Sequence, residues 1–143
     1  MKFVVGSDDP DPLVEHVVAN LRRRGHDVRV LPNAAWPSVA TEVAEAVARG
    51  DADQGVLFCW TGTGTSIAAN KVAGIRAALV RDPWIAEGAR RWNDANVLVM
   101  SLKRTTLETA DAILDAWLAV EAPDPDELDN IGAIERELRV PEH

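Results

Sequence analysis

The chain has 143 residues, the size of a single domain, and 47% of them are hydrophobic, enough for a buried core. Twenty-three acidic residues against fifteen Lys and Arg leave a net charge of −8, which argues against a nucleic-acid-binding surface and against attachment to anionic lipid. No apolar run approaches the roughly 20 residues that span a bilayer. The opening Met-Lys-Phe-Val-Val-Gly lacks the long apolar stretch of a signal peptide, so a cytoplasmic location is expected.

A single cysteine rules out an intrachain disulfide and a cysteine zinc cluster. The aromatic set is five Trp, two Phe and no Tyr, and there are only three His. Any mechanism that needs a placed imidazole therefore has few candidates.

Lys2 to Val5 is an apolar run stopped by Gly6 and reads as a buried strand. Asp11 and Pro12 open a helix with an apolar stripe of Leu13, Val14, Val17, Val18 and Leu21, ended by Gly25. Val28, Val30 and Leu31 give a second strand. Ala40, Val43, Ala44 and Val47 give a second helix, closed by Gly50. Gly55 to Cys59 is the third strand, followed by a Gly and Thr loop and a short helix from about Ser66 to Val72. Ala77 to Val80 is the fourth strand, and Asp82-Pro83 caps the next helix. Val97 to Met100 is the fifth strand. Thr105 with Glu108 reads as a capping box for a helix carrying Leu107, Ile113, Leu114, Trp117 and Leu118. Beyond Pro123 and Pro125, Asp124 with Glu127 can cap a last helix through Leu128, Ile131, Ile134 and Leu138.

Strands alternating with helices imply an α/β fold: a three-layer α/β/α, Rossmann-like arrangement around a five-stranded parallel sheet. Residues 1–121 form the domain and residues 122–143 a C-terminal helical arm, which packs either on its own domain or on a partner subunit. In such folds ligands bind outside the carboxyl ends of the strands.

The richest such segment is Cys59-Trp-Thr-Gly-Thr-Gly-Thr-Ser-Ile-Ala-Ala-Asn-Lys71. Its glycines let backbone N–H groups turn toward a ligand at a helix start, as in a generic anion-binding loop. The Lys and the spacing are wrong for a nucleotide P-loop. Cys59 beside a helix start can act as a base or nucleophile, or it is one more small buried hydrophobe ending a strand. Asp8 and Asp9 at the end of the first strand could bind metal, orient a hydroxyl or solvate a loop. A receiver domain is a weak reading, because Cys59 stands where its phosphorylated aspartate would be. Asn93 and Asp94, before the fifth strand, have the composition of turn residues.

Gly6-Ser-Asp8, the Cys59 to Lys71 motif, Gly74-Ile-Arg-Ala-Ala78, Asn93-Asp-Ala-Asn-Val97 and Asp115-Ala-Trp-Leu118 occur in this order. Together they resemble the type B ribose-5-phosphate isomerase and galactose-6-phosphate isomerase family, from residue 2 to about residue 120. The resemblance implies an aldose–ketose isomerase working through a cis-enediolate, with no metal and no organic cofactor. It implies Cys59 as the base, Thr61 as an assisting hydroxyl, and backbone amides from Trp60 through Gly62, Thr63 and Gly64 holding the enediolate oxygen. Asp8 and Asn93 match sugar-contacting positions. Sites between subunits imply a homodimer, or a tetramer built from it.

The chain departs from that family at the rim of the expected site. Asp9 stands in place of a histidine, Trp36 of a tyrosine, Trp60 of a glycine and Trp92 of the ring-opening histidine. By ungapped counting Asp126 and Asn130 fall on phosphate-binding arginines, while Lys103 keeps a basic position after the fifth strand. Trp36, Trp60 and Trp92 are expected beside the pocket, Trp117 in the core, and Asp9 as a replacement acid. His16, His26 and His143 are not placed to replace the lost histidine. The expected activity is therefore isomerisation of an altered small-molecule sugar: unphosphorylated, open-chain or cationic. The alternative is a non-catalytic ligand-binding or regulatory homologue, with a conventional ribose-5-phosphate isomerase as the third reading.

Overall fold

The computed structural model describes residues 1–137; Leu138 and His143 lie outside the described residues. The strands are β1 (Lys2–Ser7), β2 (Asp27–Val30), β3 (Gln54–Cys59), β4 (Ala77–Leu79) and β5 (Val97–Ser101). They form one parallel sheet in the order β2-β1-β3-β5-β4. The helices are α1 (Pro12–Arg23), α2 (Trp36–Ala48), α3 (Thr63–Ala69), α4 (Pro83–Asn93), α5 (Leu107–Ala119) and α6 (Leu128–Glu137), with a 3-10 turn at Pro125–Glu127. No described helix is long and apolar enough to cross a membrane.

Alternation along the strands sorts the core into two layers. Phe3, Val5, Val56, Phe58, Leu98 and Met100 pack with α1, α4 and α5, where Leu13, Val17, Ile113 and Trp117 are buried. Val4, Leu57, Val97 and Val99 point the other way, against Val39, Val43 and Ala69 of α2 and α3. Glycine sets the approach of α2 to the sheet. A Cβ on Gly6 would stand 2.5 Å from Val39 Cγ2, and one on Gly55 would stand 2.5 Å from Val43 Cγ1. That close seat brings the start of α2, and Trp36 with it, to the carboxyl end of β1 and β3.

Several boundaries differ from the sequence reading. β1 runs on to Ser7, so the first loop starts at Asp8. α2 starts at Trp36, four positions before its apolar stripe, because Pro37 is tolerated in a first helical turn. α3 starts at Thr63 rather than Ser66, which puts Thr63 and Gly64 in its first turn. The cap of α5 is Thr106, whose side chain accepts from Thr109 N, not the expected Thr105–Glu108 box. Asp124 caps the 3-10 turn, accepting from Asp126 N, and α6 follows that turn. Trp117 is buried as expected and donates from Nε1 to Gln54 Oε1 at 2.7 Å.

α4 runs back to the amino end of the sheet and stops at Asp94, which is held in the left-handed region (φ 49°). Arg76 fixes that corner by donating to Asp94 O at 2.7 Å and to Asp94 Oδ2 at 3.3 Å. α6 touches the same end of its own chain, where Glu135 Oε1 accepts from Gly74 N at 2.7 Å.

Candidate active site

The order in which strands are added to the sheet reverses between β1 and β3, the point at which open α/β sheets bind ligands. A cleft of about 360 Å³ lies there, lined by Asp8, Trp36, Cys59, Trp60, Thr61, Thr63 and Gly64. Asp8 follows β1, Cys59 to Gly64 run from the last residue of β3 into the first turn of α3, and Trp36 opens α2.

Cys59 is the last residue of β3 and is only 5% exposed. Its Sγ lies 3.3 Å from Thr65 Oγ1, and Thr65 Oγ1 donates in turn to Gly62 O at 3.4 Å. Gly62 turns the chain from strand to helix with φ +79°, a conformation that side-chain-bearing residues rarely adopt. A Cβ there would also reach 2.4 Å from Leu79 Cδ1. The tight turn leaves the first-turn amides of α3 without intrahelical acceptors. Thr63 N donates to Thr61 Oγ1 at 3.3 Å, and the two threonine hydroxyls lie 2.7 Å apart. A Cβ on Gly64 would stand 3.0 Å from the Trp36 ring, so the Trp36 indole rests directly on the Gly64 backbone.

Asp8 faces the cleft from β1, and its Oδ1 is buried with no hydrogen-bond partner. Burial first, and then the neighbouring Asp9 charge, raise its carboxyl above 3.8, with backbone hydrogen bonds at Asp8 and Asp9 opposing them. Asp8 is therefore suited to hold a proton or to meet a substrate hydroxyl.

Asp9 does not line the cleft. Its backbone is pinned to Ser7 Oγ, which donates to Asp9 O at 2.7 Å, and its Oδ2 accepts from Trp60 Nε1 at 2.5 Å. The expected replacement acid is thus engaged in holding an indole, because the turn at Ser7 aims its carboxylate across the loop toward residue 60. Lys103 does not line the cleft either; its Nζ sits 4.8 Å from the centre of the Trp60 ring.

Trp92 and Asn93 are not at this cleft. They end α4 at the amino end of the sheet, because a helix that follows a parallel strand returns to the strands' amino ends. Gly88 leaves room for the Trp92 ring to fold back along its own helix, where it packs edge-on against Trp84 with centroids 5.8 Å apart. Asn93 lines a separate cavity of about 610 Å³, together with Lys71, Arg76 and Ile134. Asp126 and Asn130 lie on the 3-10 turn and α6, and Asn130 Nδ2 donates to Glu127.

The two described histidines are elsewhere. His16 Nε2 is 2.8 Å from Asp111 Oδ1, and His26 Nδ1 is 3.1 Å from the Met1 ammonium. Burial, then that ammonium and Arg24, lower the His26 pKa. Among the described residues no group of three or more His, Cys, Asp or Glu side chains is placed to hold a metal ion.

Three supporting residues were missed from sequence. Thr65 is fully buried against Cys59, and its repeat position in Thr-Gly-Thr-Gly-Thr was a signal for it. Ser7 holds Asp9, and Ser101 Oγ donates to Trp60 O at 2.5 Å. The Ser101 contact follows from the pairing of Cys59 with Ser101 across β3 and β5, which sequence spacing does not reveal.

The profile of the Ribose/Galactose Isomerase family matches residues 3–134. Ribose-5-phosphate isomerase B of Escherichia coli (strain K12) is 42% identical over 128 residues, covering 84% of this chain and 85% of that protein. D-erythrulose-4-phosphate isomerase 2 of Mycolicibacterium smegmatis is 45% identical over 87 residues, covering 61% of this chain and 57% of that protein. The structure of Clostridium thermocellum ribose-5-phosphate isomerase B superposes with a TM-score of 0.90 at 36% identity, covering 95% of this chain and 96% of that one. A sheet with the expected layers, a loop motif on the expected strand end and these matches along nearly the whole chain agree: the protein is an isomerase that belongs to the ribose/galactose isomerase family.

Proposed function

We propose that the chain interconverts an aldose and a ketose through an enediolate, on a short open-chain substrate with an anionic end. The observation that carries this reading is a buried thiol at the floor of a cleft whose lining, among the described residues, contains no imidazole. Cys59 Sγ, as thiolate, removes the proton from the carbon next to the carbonyl. The electron pair moves to the carbonyl oxygen, and the thiol then returns the proton to the neighbouring carbon. The α3 amides of Gly64 and Thr65 stabilise the oxygen on which charge develops, each donor contributing a few kcal/mol of barrier lowering, about 3. Asp8 and the Thr61–Thr63 hydroxyl pair handle the hydroxyl proton that moves between the two oxygens.

Opening a sugar ring needs an acid at the ring oxygen. In this chain the matching position is Trp92, whose indole does not titrate in water. An open-chain substrate removes that requirement. Erythrulose 4-phosphate is such a compound: with its terminal oxygen esterified, no hydroxyl remains to close a five- or six-membered ring. The name of the M. smegmatis relative supports this class. A cationic substrate is disfavoured, since the Lys103 ammonium already lies over the Trp60 ring. The phosphate esters named for the relatives support an anionic end.

Trp92 and Asn93 can serve this cleft only from a second copy, which supports a homodimer, or a tetramer built from it, with sites at the interface. A cytoplasmic metabolic setting goes with this reading. Turnover of erythrulose 4-phosphate, ribose 5-phosphate and unphosphorylated erythrulose tests it. The expected result is a kcat/KM for erythrulose 4-phosphate at least about tenfold above that for ribose 5-phosphate. Equal or better turnover of ribose 5-phosphate would refute the open-chain assignment. Tight binding without turnover of any of them would leave a non-catalytic homologue.

A further inference from the structure

Asp9 and Trp60 are 51 positions apart, and each replaces a residue of different chemistry at the rim of the cleft. The structure joins them: Trp60 Nε1 donates to Asp9 Oδ2 at 2.5 Å. Both ends of this contact are anchored. Ser7 Oγ bonds the backbone of Asp9 on both sides, donating to its carbonyl and accepting from its amide. Trp60 O accepts from Ser101 Oγ at 2.5 Å and from Lys103 N at 3.2 Å. The Lys103 ammonium then covers the ring face, 4.8 Å from its centre.

A tryptophan that is 56% exposed would ordinarily sample several rotamers. Here its edge is held from the loop after β1, and its face and backbone from the end of β5 and the loop after it. An indole fixed in this way is a wall. Trp36, whose ring rests on the Gly64 backbone, forms a second wall of the cleft.

We infer that Asp9, Trp60 and Lys103 act as one specificity element, in which Asp9 and Lys103 position the Trp60 indole so that it limits the length of the substrate chain that fits above Cys59. Asp9 is a positioning residue: it acts on the substrate through Trp60. The inference rests on the isomerase reading above and adds the determinant of substrate length to it. It also assigns a common cause to two departures that look independent in the sequence. An indole at residue 60 needs an acceptor for its N–H, and aspartate at residue 9 supplies one where histidine would offer a weaker or competing partner.

The test compares two acyclic ketose phosphates of different length, erythrulose 4-phosphate and ribulose 5-phosphate, so that ring opening does not enter. Trp60→Gly is expected to shift the ratio of their kcat/KM values toward the five-carbon compound by about tenfold or more, mainly through KM. Asp9→Ala should shift the ratio in the same direction. Asp9→Asn, whose amide oxygen can still accept from the indole, should restore most of the wild-type ratio. In the double variant Trp60→Gly with Asp9→Ala the two shifts should not add, as expected for residues in direct contact.

A second readout needs no turnover. In ¹⁵N-labelled protein the indole N–H signal of Trp60, assigned by its loss in Trp60→Phe, should exchange slowly with solvent in the wild type. It should exchange fast in Asp9→Ala and slowly again in Asp9→Asn. If the protein turns over neither sugar phosphate but the exchange pattern holds, the isomerase reading fails and the latch stands. An unchanged substrate ratio in Trp60→Gly would overturn the specificity role. An indole N–H that exchanges equally fast in the wild type and in Asp9→Ala would overturn the latch.

Discussion

Cys59 and Thr65, at the floor of the cleft, are 5% and 0% exposed, whereas Trp36 and Trp60, at its rim, are 44% and 56% exposed. The floor is held by main chain: the end of β3, a left-handed glycine and the first turn of α3. The rim is held by side chains bonded across loops, such as Trp60 with Asp9 and Trp36 on Gly64. Proton transfer between adjacent carbons demands a thiol and amides fixed to within a fraction of an ångström, which a strand end and a helix start provide. Choice of substrate demands shape, which exposed side chains can change without disturbing the sheet. Cys59, Gly62 and Gly64, which carry the family resemblance, shape the floor, and Trp36 and Trp60, which depart from it, form the rim.

The largest expected effect comes from disturbing the floor. Gly62→Ala forces a side chain into a left-handed position with its Cβ 2.4 Å from Leu79 Cδ1. It should destabilise the fold by about 2–4 kcal/mol and lower Tm accordingly in a thermal melt. A melt within a degree of the wild type would show that the turn is looser than its geometry implies.

Next comes residue 92, which the resemblance aligns with a ring-opening histidine. Trp92→His should raise kcat/KM for ribose 5-phosphate by about a hundredfold, the lower range of general acid catalysis. It should move erythrulose 4-phosphate turnover far less. A gain on both substrates alike would separate residue 92 from ring opening.

Trp117→Phe is a control in the core, away from both regions. It removes the Nε1 donor from the buried Gln54 oxygen and should cost about 1–3 kcal/mol of stability with kcat/KM little changed. A loss of activity beyond the loss of folded protein would tie the core to the site.

The smallest effect is at Asp8, where floor and rim meet. Its folded pKa is raised above 3.8, so ionisation disfavours the folded state. That penalty is complete above the raised value and vanishes below the unfolded one. Asp8→Asn should therefore raise Tm at pH 7, with the gain fading as the pH falls toward about 4, while activity drops. A gain that is the same at both pH values would show that burial of the charge is not its origin.

The apolar runs of the strands and the helical stripes carry the fold legibly, because burial on both sheet faces requires them. Helix starts were harder. α2 begins at Trp36, which no side-chain cap marks, and α3 begins within the threonine and glycine run. In the site, Cys59, Thr61, Gly62, Thr63 and Gly64 could be placed from one contiguous motif, and they line or shape one cleft. The partnership of Asp9 with Trp60 could not, since contacts across loops leave no periodicity in the chain. Within one copy the return path of α4 carries Trp92 to the other end of the sheet, so a place beside the pocket requires a second copy. Only the sheet order shows which strand ends are neighbours.

Solvent deuterium incorporation is the most direct measurement of the central claim, that Cys59 moves a proton between adjacent carbons. Erythrulose 4-phosphate incubated with the wild type in D₂O should gain deuterium at the carbon beside its carbonyl, followed by proton NMR. Cys59→Ser should slow that gain by at least about a hundredfold, while erythrulose 4-phosphate still raises the melting temperature of the variant. Exchange at the wild-type rate in Cys59→Ser would contradict the assignment.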